Sequence, residues 1–215
     1  MDHIIFNTVV PHVFSSLTSN LSSEIWNTEL AFDKEKLYLV EADSGKGKST
    51  FCSYIQGYRH DYSGNIFFDS RSTKELSIQD WTLIRKQHIS LLFQELRLFP
   101  ELTSFENVQI KNQLTNFKSK SEIVAWFEQL GIADKIDTPI KLMSFGQQQR
   151  VAMMRALVQP FDFILVDEPI SHLDESNSQI MGALLLEESR RQGAGVIVTS
   201  IGKHMELSYD KILRL

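Results

Sequence analysis

The sequence predicts an α/β fold with a mixed, mostly parallel sheet, a small N-terminal antiparallel sheet and a helical insert. Three observations support this. First, five short apolar runs lack alternation: Leu37 to Val40, Ile89 to Phe93, Phe163 to Val166, Val196 to Thr199 and Ile212 to Leu215. Strands covered by helices on both faces read this way. Second, Ile4 to Phe6, Glu29 to Phe32 and Asn65 to Phe68 are shorter runs separated by turn-like polar stretches. They suit an antiparallel sheet at one edge. Third, residues 101–157 read as mostly helical, between two groups of parallel strands.

Within that insert, Thr103 and Glu106 stand at the spacing of a capping box, which satisfies two unpaired N–H groups at a helix start. Ile123, Trp126, Phe127 and Leu130 fall at i, i+3, i+4 and i+7, and Gly131 follows as a helix stop. Such a stripe reads as core. It locates the insert and carries no chemistry.

The chain has 215 residues, 42% apolar and 23% charged, enough for one good core but not two full domains. Its 22 Lys+Arg and 27 Asp+Glu leave a net charge of −5, which speaks against sequence-independent nucleic-acid binding. A single cysteine, Cys52, excludes an internal disulfide and a Cys-rich zinc site. The start, MDHIIFNTVV, lacks a basic segment followed by a long apolar stretch, and no run of 18 apolar residues occurs. The expectation is a cytoplasmic chain without a leader or a membrane span.

After the strand at Leu37 comes EADSGKGKST, residues 41–50, and then Phe51, Tyr54 and Ile55 at helical spacing with Gly57 as a stop. Strand, Gly-rich loop, Lys-Ser and helix form the context of a phosphate-binding loop. The segment that would touch nucleotide runs Ala42, Asp43, Ser44, Gly45, Lys46, Gly47, Lys48, Ser49 and Thr50. Gly45 and Gly47 let backbone N–H groups point at phosphate oxygens, and the helix start near Lys48 adds a favourable dipole. Lys48 is expected to reach the β- and γ-phosphates, and the Ser49 hydroxyl to ligate Mg²⁺. Ala42 replaces the first glycine of the pattern, which is tolerable at negative φ. Asp43 and Lys46 are expected to face solvent.

FDFILVDEP, residues 161–169, is an apolar strand ending in two acids. It would deliver Asp167 to the carboxyl edge of the sheet, where open α/β folds bind ligands, at the end of a strand neighbouring the loop. Asp167 is then the expected Mg²⁺ ligand and Glu168 the general base for water.

At this point the chain resembles the ATP-binding subunit of ABC transporters over nearly its whole length. LLFQELRLFPELTSFENV, residues 91–108, looks like the family's Q-loop region; KLMSFGQQQRVAMMRAL, residues 141–157, like its signature and following helix; and SHLD, residues 171–174, like its D-loop. The resemblance implies one cassette, residues 1–215, with a RecA-like core over about 1–93 and 158–215 and a helical subdomain over about 94–157. It implies ATP and Mg²⁺ as ligands. Gln94 would sense the metal and the attacking water, and Asp174 would be the D-loop acid. Ser144 and Gln147 also make a capping-box pair, so a helix N-terminus starts there. With Phe145 and Gly146 they would bind the γ-phosphate held by a second subunit, giving two composite sites in a head-to-tail dimer. Phe14 would stack on adenine; Tyr38 is less suited, being in mid-strand.

The sequence departs from that pattern where Phe145 replaces a signature glycine, Met143 a leucine and Ser200 the histidine that contacts the γ-phosphate. Serine is shorter and uncharged, so ATP binding is expected to survive and hydrolysis to slow. His204 follows four residues later and reads as a surface residue. The implied partners are separate integral membrane permease subunits, docking largely on 95–106, and a second cassette, as homodimer or mixed pair. The location implied is the cytoplasmic face of the membrane. The end of the chain in a strand suggests no appended regulatory domain. The rivals are a slow or non-hydrolysing ATP-dependent clamp, and a soluble ATPase acting on DNA or ribosomes.

Overall fold

The computed structural model describes residues 1–15, 22–43, 45–169, 175–202 and 204–215. The strands are β1 (His3–Pro11), β2 (Glu29–Asp33), β3 (Leu37–Glu41), β4 (Tyr62–Phe68), β5 (Arg71–Ser72), β6 (Ile89–Leu92), β7 (Phe163–Asp167), β8 (Gly195–Ser200) and β9 (Lys211–Arg214). The helices are α1 (Lys48–Ile55), α2 (Ile78–Gln87), α3 (Ser104–Asn112), α4 (Lys120–Gln129), α5 (Phe145–Leu157) and α6 (Glu175–Gln192).

The apolar runs form a five-stranded sheet in the order β6-β7-β8-β3-β9, and every pairing in it is parallel. Alternate side chains leave its two faces for different cores, as the two-residue period of a strand requires. Leu37, Leu39, Ile164, Val166, Val196 and Val198 join the helices α3, α4, α5 and α6 in one cluster. Tyr38, Val40, Phe163, Leu165 and Ile197 join α1, α2 and the N-terminal strands in another. β9 departs from the expected burial on both faces, since only Leu213 within it is buried. It is an edge strand.

The antiparallel strands make the small N-terminal sheet expected from the sequence. They form a separate four-stranded sheet, β2-β1-β4-β5, packed over the second cluster through Ile4, Phe6, Phe32 and Ile66. β7 is not adjacent to β3; β8 lies between them.

The insert is helical, as its patterns predict. Thr103 and Glu106 close a capping box on α3. Ile123, Trp126, Phe127 and Leu130 are buried, and Gly131 ends α4 at φ +64°. Two helices carry weaker signals and were not expected: α2, capped by Ser77 with Asp80, and α6.

One glycine is dictated by close approach. β1 bulges between Asn7 and Val10 opposite β4, and Gly64 faces that bulge at φ +78° with a Cβ position 2.3 Å from the Thr8 carbonyl oxygen. Gly131 has a similar φ but open space around it. Gly131→Ala should therefore cost only the left-handed penalty of about 1–2 kcal/mol. Gly64→Ala should cost clearly more, because backbone must also move. Urea midpoints of the two variants check this; equal midpoints would refute it.

Candidate functional site

The site is built at the carboxyl ends of β3, β7 and β8. The loop after β3 turns through Gly45 (φ +78°) and Gly47 (φ +100°) into α1. Gly47 is the N-cap of α1, with no side-chain cap bond, so its first N–H groups are left for another partner. Ala42 has no positive φ, consistent with alanine at that position, and its N–H donates to the Ser200 carbonyl at 3.2 Å. Asp43 and Lys46 are exposed. Ser44 lies outside the described residues, as does Asp174 with the rest of 171–174.

Lys48 is 5% exposed. Its ammonium donates to the carbonyls of Ala42 (2.8 Å) and Asp43 (2.9 Å) and stands 3.7 Å from a Glu168 oxygen. Ser49 Oγ is 3.4 Å from Asp167 Oδ2, and the Thr199 hydroxyl donates to Asp167 Oδ1. Gln94 Nε2 donates to Glu168 Oε2 at 2.9 Å. The structure thus brings Lys48, Ser49, Gln94, Asp167 and Glu168 to one sheet edge, through the Ser49–Asp167 and Gln94–Glu168 hydrogen bonds and the Lys48–Glu168 ion pair.

Burial pushes the Asp167 carboxyl above its ordinary range, against the lowering effect of the Thr199 and Ser49 hydroxyls and of Lys48. Burial also raises Glu168, with Lys48 pulling down and Asp167 pushing up. Glu168 adopts φ +48°, a left-handed conformation that costs a non-glycine residue about 1–3 kcal/mol and concentrates at functional sites. Its N–H is held by the Thr199 carbonyl at 3.2 Å.

Phe14 sits in a 3₁₀ turn after β1, and its ring edge is 3.2 Å from where a Cβ on Gly47 would lie. Trp26 lies 3.6 Å from the same point. Any side chain at residue 47 would meet these rings. Trp26 is the contact that sequence reasoning missed; nothing local marks it. Tyr38 is buried, with its hydroxyl accepting from the Asp33 N–H at 2.9 Å, so it is part of the core. Thr50 takes a hydrogen bond from Arg59 at 3.0 Å.

Ser200 ends β8, opposite Glu41 of β3, and is 1% exposed. His204 packs edge-on against Tyr209, with Nδ1 3.8 Å from Glu41. It is engaged there and not turned to the Lys48 group.

Ser144, Phe145, Gly146 and Gln147 form a second group at the start of α5. Ser144 caps the helix, with Gln147 closing the capping box. Phe145 is 44% exposed. This group connects to the first through Gln149, whose Nε2 donates to the Pro169 carbonyl just after the acids. Beneath Asp167, the Cys52 thiol of α1 is buried; desolvation, with the Asp167 charge, pushes it well above the ordinary thiol range.

The chemistry of the first group suits a phosphate with a hard cation. It combines a buried ammonium, free N–H groups at a helix start, glycines leaving room for a close approach, and hydroxyl and carboxylate oxygens. No cluster of three or more metal-ligating side chains occurs among the described residues.

The chain is similar to known proteins over most of its length. Residues 26–171 match the family described as ABC transporter. An ABC transporter ATP-binding protein of Bacillus subtilis (strain 168), YclH, is 30% identical over 190 residues, 86% of this chain and 83% of that protein. The dimeric structure of MJ0796, a bacterial ABC transporter cassette, superposes with a TM-score of 0.74 at 26% identity, covering 91% of this chain and 87% of the other. A post-hydrolysis dimer of MJ0796 bound to ADP and Pi gives 0.72 at 28% identity, covering 92% and 87%.

The raised carboxyls generate a pH prediction. A carboxyl whose folded pKa is raised favours folding below its unfolded pKa, and that contribution is lost as pH rises through the folded value. Near pH 7 the ionised Glu168 is thus a cost. Glu168→Gln should stabilise the nucleotide-free chain at pH 7.5, by about 0.5–2 kcal/mol as for other function-driven costs. The gain should shrink toward pH 4. Thermal melts at the two pH values check this; a gain that grows on acidification would refute it.

Proposed function

Because this chain belongs to the ABC transporter family, as an ATP-binding and ATP-hydrolysing subunit, we propose that the Lys48 group is its hydrolytic site. The observation that carries the proposal is the convergence of a buried lysine, a serine and two carboxylates at one sheet edge. In this reading Lys48 and the N–H groups around Gly45, Gly47 and Thr50 hold the phosphates. Ser49 and Asp167 hold Mg²⁺, which when bound offsets the charge on the phosphate oxygens. Glu168 takes the proton from the attacking water, and burial, by raising its carboxyl, makes its ionised form a stronger base. Gln94 orients Glu168. Phe14, whose ring packs beside Gly47, would stack on adenine.

Ser144, Phe145, Gly146 and Gln147 serve a second protomer. Their capped helix start is an anion site, and a head-to-tail pair would bring it to the opposite phosphate loop. Whether the pair is two copies or a mixed dimer, each half drives separate membrane subunits by closing around ATP. We place the chain on the cytoplasmic face of the membrane through those subunits. No helix among the described residues is long and apolar enough to cross a membrane.

A second reading is a slow clamp. It rests on Ser200, which stands at the strand end where the notional histidine would reach the γ-phosphate. Both readings are separated by Mg·ATP turnover of the purified chain. We expect measurable turnover in wild type and a loss of about 10²–10⁴-fold in Glu168→Gln, the usual worth of a general base. Ser200→His should be faster by about 10²–10³-fold, the worth of one transition-state donor. A Ser200→His variant no faster than wild type would refute the assigned defect. Glu168→Gln turning over like wild type would refute the assigned base.

A further inference from the structure

The amino ends of β3 and β8 and the last turn of α6 enclose a cavity of about 500 Å³. It lies at the opposite end of the parallel sheet from the Lys48 group. Leu37, Leu186, Ala194 and Val196 make its apolar walls. A volume of this size, walled by apolar side chains with a few polar groups among them, is that of a small-molecule site.

The chain does not satisfy all of those polar groups itself. Ser189 lines the cavity and is only 2% exposed, yet its hydroxyl has no hydrogen-bond partner. A hydroxyl so enclosed costs stability unless something meets it. Four charged side chains stand at the exposed rim. Two of them answer each other: Lys36 donates to Asp210 at 3.2 Å, and Asp210 also accepts from the Leu37 N–H at 2.8 Å. The other two, Glu35 and Arg190, have opposite signs and line the same cavity. Neither forms an ion pair or a side-chain hydrogen bond among the described residues. Glu35 turns the chain between β2 and β3 at φ +60°, and its Oε1 lies 3.4 Å from where a Cβ on Gly193 would be. That carboxylate is thereby brought over the turn that joins α6 to β8, beside the helix end that carries Arg190.

We propose that this cavity binds a small zwitterion with apolar side chains, of the size of a dipeptide. Its carboxylate meets Arg190, its ammonium meets Glu35, and a polar group of its body meets the Ser189 hydroxyl. The mixed rim selects this class. A simple anion would be repelled by Glu35 and Asp210, and a simple cation by Lys36 and Arg190, whereas a molecule with both charges finds a partner for each. The apolar walls select the side chains. No residue of the Lys48 group lines the cavity, so the assignment stands apart from the hydrolytic reading, and its occupant does not compete with nucleotide.

The test is equilibrium dialysis of the purified full chain against labelled Leu-Leu, its N-acetyl form and its C-terminal amide. We expect saturable binding of Leu-Leu with a Kd of about 1 mM or tighter. Each capped form should bind about fivefold more weakly, the upper worth of an exposed ion pair. Arg190→Gln should weaken Leu-Leu by the same factor but leave the amide unchanged, since the amide has no carboxylate to lose. Glu35→Gln should likewise weaken Leu-Leu and leave the N-acetyl form unchanged. Ser189→Ala should lower the affinity while raising the melting temperature of the free chain, because it removes an unsatisfied buried hydroxyl; a merely structural serine would lower both. Mg·ATP affinity of each variant serves as the folding control. Equal binding of free and capped dipeptides overturns the zwitterion. Binding that ignores Arg190→Gln and Glu35→Gln, or that Mg·ATP displaces, puts the ligand elsewhere and overturns the site. No saturable binding at about ten times the expected Kd overturns the proposal as a whole.

Discussion

The position of one ammonium group organises the molecule. Lys48 Nζ binds two carbonyls of its own loop and faces the carboxylate of Glu168. A charge so buried must be surrounded by oxygens. To meet this, the chain wraps the loop around the lysine, ends β7 in acids at the same height, and leaves β8 between them to supply Thr199. The parallel sheet makes this possible, because it brings the carboxyl ends of distant segments to one edge.

Burial explains why the two carboxyls differ from surface acids. Both lie where desolvation raises them and Lys48 lowers them, and desolvation wins in each. The strained φ of Glu168 is tolerated because β8 holds its N–H. Stability is given up at this edge, and the two apolar clusters on the faces of the sheet supply it elsewhere.

Much of this was legible in the sequence. Unalternated apolar runs marked all five parallel strands, and Gly45, Gly47, Lys48 and Ser49 marked the loop. Those signals are local, as are the capping pairs at Thr103 and Ser144. What sequence did not reveal depends on contacts between distant segments. The strand order, with β8 between β7 and β3, needs pairing across distant segments. The place of Trp26 behind Gly47 is likewise tertiary. α6 was missed because its sequence, with polar residues interleaved through ESNSQIMGALLLEESRRQ, blurs the stripe that a buried helix usually shows. For α2 the signal is local, the capping pair of Ser77 and Asp80.

The chain's lone thiol has a practical use. Cys52 is enclosed beneath the phosphate loop, and its thiolate, the form that attacks alkylating reagents, is suppressed by burial and by Asp167. Burial therefore shields Cys52 from maleimides while the core stays closed. Any single cysteine introduced on the surface can carry a dye or spin label with no background to remove. The native thiol, in turn, becomes a built-in clock for opening of the core, since its labelling rate counts the moments when α1 comes away from the sheet.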